Sequence, residues 1–134
     1  MSDSHPGRAI VGVTDMFFRS RIEAALPAAP GLEITWLAPG ESLTELGARL
    51  GPGLVLLDLQ DPVLEPLRQV AALRASADGK AAHVVGFLPH VRMDLREAAQ
   101  RAGFDQILTR SAFTRLLPQI LSRAVTTGDR SGNV

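Results

Sequence analysis

Two acidic residues stand where a buried strand ends, and this placement is the first sign of chemistry in the chain. Asp58 follows the aliphatic run Leu-Val-Leu-Leu at 54–57, and Asp15 follows a similar run at 9–13. A lone charge is costly to bury, so such an acid fits the carboxyl edge of a parallel sheet, where open α/β folds place their ligands. An Asp in this position can equally start a turn or cap the next helix, and the sequence leaves both roles open.

Short apolar runs alternate with segments of helical periodicity, and these elements must position the two acids. The continuous apolar runs predict buried strands, whereas apolar residues three and four apart predict helices. Pro62 stops the run before it from continuing as a central strand. Thr114 is the predicted N-cap of the last helix. The predicted strands are 9–13, 32–37, 54–58, 82–88 and 104–109, and the predicted helices are 16–26, 41–50, 64–75, 91–102 and 114–125.

The alternation of strands and helices with short connections predicts an α/β fold, with a parallel sheet and helices on both faces. Right-handed crossovers leave few topologies, and we expect the flavodoxin-like, doubly wound strand order 2-1-3-4-5. Apolar and polar residues alternate at 32–37, as is typical of an edge strand. In this order the first and third strands are neighbours, so Asp15 and Asp58 meet at one edge of the sheet.

Length, composition and charge exclude several classes of function. The 134-residue chain can form one domain with its own core, which we place at 8–125 between polar tails at 1–7 and 126–134. The absence of cysteine excludes disulfides, thiolate metal sites and cysteine nucleophiles. The formal net charge is zero, and there is no basic block, no signal-peptide pattern and no apolar run of about 20 residues. We therefore expect a soluble, cytoplasmic protein that binds neither nucleic acid nor membrane.

Four segments occur together in a characteristic order. The run 54–58 ends in Asp58, Pro62 follows, Val-Thr-Asp stands at 13–15, and Gly-Phe-Asp-Gln-Ile-Leu-Thr-Arg stands at 103–110. In this combination the chain resembles the CheY-like receiver domain of bacterial response regulators, over nearly the whole folded part. The resemblance implies the fold expected above and a place in two-component signal transduction or a phosphorelay.

The resemblance also implies a role for each position of the site. Asp58 would accept a phosphoryl group from a histidine kinase or a small phosphodonor, and Asp58, Asp15 and the Gln60 backbone would hold Mg²⁺. Mg²⁺ prefers hard oxygen ligands, typically one or two carboxylates together with water. The family also has a lysine that pairs with the acyl phosphate and a Ser or Thr that hydrogen-bonds it. These two positions fall at Arg110 and Leu88.

Three positions depart from the family pattern. Thr14 replaces one acid of the metal-binding pair, Leu88 cannot hydrogen-bond a phosphoryl oxygen, and Arg110 stands in place of the lysine. No Ser or Thr occurs at 77–108, and the only lysine, Lys80, precedes the fourth strand. A shift of one or two residues in the alignment therefore restores neither the hydroxyl nor the amine.

The altered residues predict an altered pocket. Loss of one carboxylate predicts weak or absent Mg²⁺ binding, because ligand charge sets much of the affinity. Arg110 cannot titrate, and its planar guanidinium suits bidentate pairing with a carboxylate. We therefore predict that Arg110 pairs with Asp58 as a fixed counter-ion, the alternative being an Arg that points to solvent.

Further candidates lie on or near the predicted fourth helix. Arg92, Arg96 and Arg101 form a candidate partner surface, since the family uses this region to bind partners, although a solvated helix face is the alternative. His90 either handles a phosphoryl group or proton above the site or is a solvated loop residue.

These features support two main hypotheses. The first is an atypical, or pseudo-, receiver domain, which is not an enzyme and signals by binding a partner without aspartyl phosphorylation or a cofactor. The alternative is a functional single-domain receiver that accepts a phosphoryl group on Asp58 with Mg²⁺. The expected partner is another signalling protein, either a kinase or an output protein, or a second copy of the chain. A small-molecule-binding flavodoxin-like protein is disfavoured, because no Gly-rich or Ser/Thr-rich phosphate loop follows the first strand.

Overall fold

The computed structural model describes residues 7–76, 82–88 and 92–130. Lys80 and His90 lie outside the described residues, so the predictions made for them stay predictions. Within the described ranges, the strands are β1 (Arg8–Gly12), β2 (Glu33–Trp36), β3 (Leu54–Asp58), β4 (His83–Leu88) and β5 (Gln106–Thr109). The helices are α1 (Met16–Ala25), α2 (Leu43–Leu50), α3 (Pro66–Ala75), α4 (Met93–Ala102) and α5 (Arg110–Arg130), with a short 3-10 helix at Leu26–Ala28.

The strands form one parallel sheet in the order β2-β1-β3-β4-β5, which confirms the predicted topology. Gly12 pairs with Leu57 between β1 and β3, and Asp58 pairs with Phe87 between β3 and β4. Every residue of β3 is buried, whereas β2 at the edge of the sheet contains no fully buried residue. The position of β3 between two strands explains why its sequence is continuously apolar up to Asp58.

Side chains of β3 alternate between two hydrophobic clusters, one on each face of the sheet. Leu54 and Leu56 contribute to the first cluster, which contains the buried residues of α1 and α5. Val55 and Leu57 contribute to the second cluster, which also contains side chains of three helices: Leu43 and Leu46 of α2, Val70 and Leu73 of α3, and Ala99 of α4. The period of two along the strand thus distributes one apolar run between two separate packing layers.

Three aromatic rings form the part of the first cluster that lies beneath the carboxyl edge. Phe87 stacks on Phe113 with ring centroids 4.2 Å apart, and the Phe18 centroid lies 5.3 Å from that of Phe87. Each ring is buried, and the burial of one such side chain contributes about 1.5–3 kcal/mol. These contacts hold α1, β4 and α5 together next to Asp58.

The last helix begins earlier than the sequence analysis predicts. Thr109 is its N-cap, since the Thr109 hydroxyl accepts a hydrogen bond from the Ala112 amide at 3.2 Å. The predicted cap at Thr114 is therefore wrong, because β5 passes into α5 without a loop and an earlier hydroxyl takes the capping role. Pro118 lies inside the helix, which continues to Arg130. Among the described helices, none is long and apolar enough to cross a membrane.

A partly buried arginine joins three elements at the opposite, amino edge of the sheet. Arg74 near the end of α3 donates to the Gly103 carbonyl and the Ala82 carbonyl, both at 2.9 Å, and to the Asp105 carboxylate at 2.6 Å. The same Asp105 oxygen accepts the Val84 amide at 2.8 Å. These bonds fix α3, the start of β4 and the segment before β5, away from the candidate site.

Candidate functional site

Asp58 lies at the carboxyl end of β3 with only 4% of its surface exposed. One carboxylate oxygen, Oδ1, accepts the Gln60 amide at 3.0 Å, as in a turn started by an Asp side chain. The Leu59 amide continues the pairing to β4 by donating to the Phe87 carbonyl at 2.9 Å. The chain therefore turns directly after Asp58. Because Oδ1 is bonded to this turn, Oδ2 is the oxygen that faces Arg110. The metal-ligand role predicted for the Gln60 carbonyl stays a prediction.

Arg110 supplies the positive charge that faces Asp58. The distance from Arg110 Nη2 to Asp58 Oδ2 is 3.7 Å, which is an ion pair but is too long for a hydrogen bond. The pairing is thus present, but it is not the bidentate arrangement that the sequence suggested. The guanidinium carbon also lies 4.7 Å from the centroid of the Phe18 ring. The guanidinium therefore contacts both the Asp58 carboxylate and the Phe18 ring.

Arg110 stands at an unfavourable position in its helix. Arg110 is the first residue of α5, where the helix dipole disfavours a cation. Its Nε atom is buried and has no hydrogen-bond partner among the described residues. The Asp58 carboxylate and the Phe18 ring therefore offset an otherwise unfavourable position.

Several neighbours act on the protonation of Asp58. Burial raises the pKa of Asp58 above its ordinary value of 3.8, and it is the largest influence. The Gln60 amide and the Arg110 charge lower the pKa, whereas the negative charges of Asp61 and Asp15 raise it. The net direction is upward, so the ion pair with Arg110 only partly offsets the cost of burying the carboxylate.

Asp15 lies at the same edge of the sheet, as the topology requires, and it caps α1. Its Oδ1 atom accepts the Phe17 amide at 2.8 Å and the Phe18 amide at 3.3 Å. Of the two roles that the sequence left open, the capping role is therefore present. The metal-ligand role of Asp15 stays a prediction.

Asp61 is a member of the site that the sequence analysis missed. It is 6% exposed, and its Oδ2 atom accepts the Thr14 hydroxyl at 2.5 Å and the Thr14 amide at 3.2 Å. Its Oδ1 atom accepts the Val63 amide at 3.2 Å. The sequence did contain a signal. Asp61 is a second acid three residues after Asp58, and Thr14 stands where the family has an acid. The contact joins the loop after β1 to the loop after β3.

Each acid of the site has a partner within the chain. Within residues 7–76, 82–88 and 92–130, no three His, Asp or Glu side chains lie close enough to hold a metal ion. The Oδ2 atom of Asp58 faces a guanidinium, so a divalent cation at this oxygen would lie beside a positive charge. Asp61 bonds to Thr14, and one oxygen of Asp15 bonds to α1. Since one or two carboxylates with water can hold Mg²⁺, weak or absent Mg²⁺ binding stays a prediction.

Leu88 occupies the end of β4 at the position where the family has a Ser or Thr. It is 2% exposed and packs in the second hydrophobic cluster. Its partner on the neighbouring strand β5 is Thr109, whose hydroxyl accepts a hydrogen bond from the Ala112 amide of α5. At the position of Leu88, β4 therefore presents an apolar side chain in place of a hydroxyl group.

The three arginines of the candidate partner surface have different surroundings. Arg92 precedes α4 and bonds to Asp94 at 3.0 Å, whereas Arg96 is partly buried and Arg101 is exposed in the last turn. At about 100° per residue, Arg101 lies about 140° around the helix from Arg96, so the three do not form one continuous basic face. Their role in binding a partner stays a prediction.

Solved structures of response-regulator receivers have the same fold. The receiver domain of the response regulator NarL from Mycobacterium tuberculosis superposes with a TM-score of 0.70 at 20% identity, over 96% of this chain and 99% of that one. The chemotaxis response regulator CheY4 of Vibrio cholerae gives a TM-score of 0.72 at 16% identity, over 88% and 98% of the two chains. The Mn²⁺-bound form of the response regulator Rcp1 gives 0.74 at 19% identity, over 91% and 96%.

No protein-family model matches the chain, and no curated protein is significantly similar to it in sequence. The likeness therefore rests on the three-dimensional arrangement, at identities between 16% and 20% for these three structures. What it shows is the fold: a five-stranded parallel sheet in the order 2-1-3-4-5, shared with receiver domains and other flavodoxin-like proteins.

Proposed function

We propose that this chain is an atypical receiver domain of two-component-type signal transduction, which binds a signalling partner and works without aspartyl phosphorylation. The observation that carries the proposal is the pairing of the buried Asp58 carboxylate with the Arg110 guanidinium at 3.7 Å. The position of Asp58 at the end of β3, in a fold shared with solved receivers, supports the assignment to this class.

The charges around Asp58 argue against phosphoryl transfer. An ionised carboxylate that attacks an anionic phosphoryl donor needs a cation that neutralises both groups. Here the Oδ2 atom of Asp58 faces Arg110, so the cation beside this carboxylate is a guanidinium that belongs to the chain. Thr14 and Asp61 bond to each other where the family has a second metal-binding acid. These contacts hold the pocket in one state without metal or phosphate.

The position that responds to phosphorylation in ordinary receivers is altered as well. A phosphorylated receiver needs a hydroxyl at the position of Leu88, and the Leu88 side chain is buried in the core. The adjacent Thr109 hydroxyl caps α5 instead. The expected output is therefore constitutive binding of a kinase, an output protein or a second copy of the chain, in the cytoplasm and without enzymatic activity.

The direct test is to incubate the protein with acetyl phosphate and Mg²⁺ and to measure its intact mass. We expect no gain of a phosphoryl group and no Mg²⁺ binding by calorimetric titration. The double variant Thr14→Asp/Arg110→Lys rebuilds two family positions and shows whether these two residues prevent the reaction. A gain of one phosphoryl mass in the wild type, lost in Asp58→Asn, would overturn the proposal in favour of a working single-domain receiver with Mg²⁺.

A further inference from the structure

A cavity of about 520 Å³ lies beside the candidate site, between the loop after β3 and the first turns of α3 and α4. Its volume falls in the range of about 300–1,000 Å³ that is typical of small-molecule sites. Half of the described residues that line it are apolar: Leu59, Pro62, Pro66, Leu67 and Leu95. Burial of an apolar group against these side chains is therefore the main source of affinity that the cavity offers.

The charged residues of the described wall balance one another. Two acids, Asp61 and Glu65, stand with two arginines, Arg68 and Arg92, so two negative charges offset two positive charges. Glu65 and Arg68 form an ion pair with each other, and Asp61 accepts the Thr14 hydroxyl at 2.5 Å. The wall therefore has no net charge that would attract a ligand of either sign.

Arg92 and the starts of the two helices add no positive charge that lacks a partner. Arg92 bonds to Asp94 at 3.0 Å, and the same carboxylate accepts the Leu95 amide in the first turn of α4. The other helix, α3, begins at Pro66, which has no N–H. A charged ligand group would therefore lose its hydration in the cavity without gaining a partner there, and this cost favours an uncharged ligand.

Gln60 is the one uncharged polar residue of the described wall. Its backbone amide donates to Asp58 Oδ1 at 3.0 Å, whereas its side-chain amide forms no hydrogen bond with a described residue. A side-chain amide offers both a donor and an acceptor. The cavity can therefore bond one hydroxyl, carbonyl or amide group of a ligand without any charge.

The extent of the wall distinguishes a small molecule from a protein partner. A stable protein–protein interface uses about 20–30 residues on each side. The described wall has ten residues, which come from one loop and the starts of two helices. A wall of this size fits a small molecule, which can be covered by a few side chains from several elements.

We infer that this cavity binds a small uncharged molecule with an apolar body and one hydroxyl, carbonyl or amide group. The apolar body lies against Leu67 of α3 and Leu95 of α4, and the polar group bonds to the Gln60 side chain. The site is separate from the Asp58 carboxylate, so this inference goes beyond the proposed function and does not depend on it.

The test uses hexan-1-ol as the probe, with hexanoate and hexylammonium as charged matches of the same chain length. Each is titrated into the isotopically labelled chain and followed by amide NMR. We expect saturable shifts at Gln60, Leu67 and Leu95, with a Kd for hexan-1-ol of about 1–10 mM. Both charged matches should bind at least about tenfold more weakly, because neither finds an unpaired charge on the wall.

Two variants test the two parts of the site. Gln60→Ala should weaken hexan-1-ol about threefold to tenfold, as expected for the loss of one neutral hydrogen bond, and the exposed Gln100→Ala on α4 is its matched control. Leu67→Ala should weaken hexan-1-ol about tenfold through lost apolar contact. Leu50→Ala is the control for Leu67, because Leu50 packs at the edge of the same hydrophobic cluster but lies outside the cavity wall.

Several results would overturn the site. These are no saturation up to about 50 mM, binding of either charged match as tight as that of hexan-1-ol, and equal weakening by a variant and its control. Shifts at the cavity that depend on protein concentration instead of hexan-1-ol would overturn it in favour of a second copy of the chain. Failure here leaves the phosphodonor test unaffected, and phosphorylation of Asp58 leaves hexan-1-ol binding as a separate result.

Discussion

The Arg110 guanidinium faces the Asp58 carboxylate, with Nη2 3.7 Å from Oδ2. The two strands involved, β3 before the site and β5 before Arg110, are not neighbours in the sheet. Asp58 ends β3 and Arg110 follows β5, with β4 between them. The pair therefore joins two elements that only the tertiary fold brings together. Three predictions follow from this pair and from the contacts around it, and a fourth concerns an arginine at the amino edge of the sheet.

The first prediction concerns the pH dependence of stability in Asp58→Asn. Because burial raises the pKa of Asp58 above 3.8, the folded state binds this proton more tightly than the unfolded chain does. The contribution of Asp58 to the free energy of unfolding is then largest below 3.8 and is lost as pH rises through the raised folded pKa. The Asn side chain does not titrate. Asp58→Asn should therefore gain stability relative to wild type as pH rises through this window, in urea denaturation, and parallel pH profiles would contradict this.

The second prediction concerns the counter-ion itself. Arg110→Gln removes a positive charge that lowers the pKa of Asp58, so this pKa should rise further in the variant. Arg110→Lys keeps a cation in the first turn of α5 and should leave the pKa closer to the wild-type value. The measurement is an NMR titration of the Asp58 carboxyl carbon. Arg115→Gln, an exposed position on the same helix, is the control, and an equal shift in this variant would refute a specific pairing.

A third prediction concerns the hydrogen bond between Thr14 and Asp61. Thr14→Val keeps the shape of the side chain but leaves a buried carboxylate without the hydroxyl that donates to it at 2.5 Å. We expect a loss of about 1–3 kcal/mol in the free energy of unfolding. Thr14→Ser keeps the hydroxyl and should retain most of the stability. Equal stability of the Val and Ser variants would show that the hydroxyl contributes nothing.

A fourth prediction compares two arginines of α3 that both pair with an acid. Arg74 is 19% exposed in its side chain and bonds to two carbonyls and Asp105, whereas the Arg68 side chain is 77% exposed and pairs with Glu65. Arg74→Ala should cost about 1–3 kcal/mol, because it leaves the Gly103 and Ala82 carbonyls without their donor, while the exposed Asp105 carboxylate keeps the Val84 amide. Arg68→Ala should cost less than about 1 kcal/mol. Thermal and urea denaturation of both variants provide the comparison, and similar losses would exclude the special role of Arg74.

The sequence by itself determined the fold and the location of Asp58. Periodicity is a local property, and a buried parallel strand such as Leu54–Asp58 is apolar at every position up to its carboxyl end, so its pattern is readable without coordinates. Absences are readable as well: no Ser or Thr occurs near the end of β4 that could take the place of Leu88, and no Lys occurs after β5 that could take the place of Arg110.

Tertiary structure alone decided how the site residues meet. The hydrogen bond from Thr14 to Asp61, the 3.7 Å approach of Arg110 to Asp58 and the start of α5 at Arg110 each depend on where a loop or cap places a side chain. Residues far apart in sequence carry no periodic signal of such contacts, because the contacts arise only when separate elements pack. The cavity beside Gln60 has the same origin, since its walls come from a loop and two helices that meet only in the folded chain.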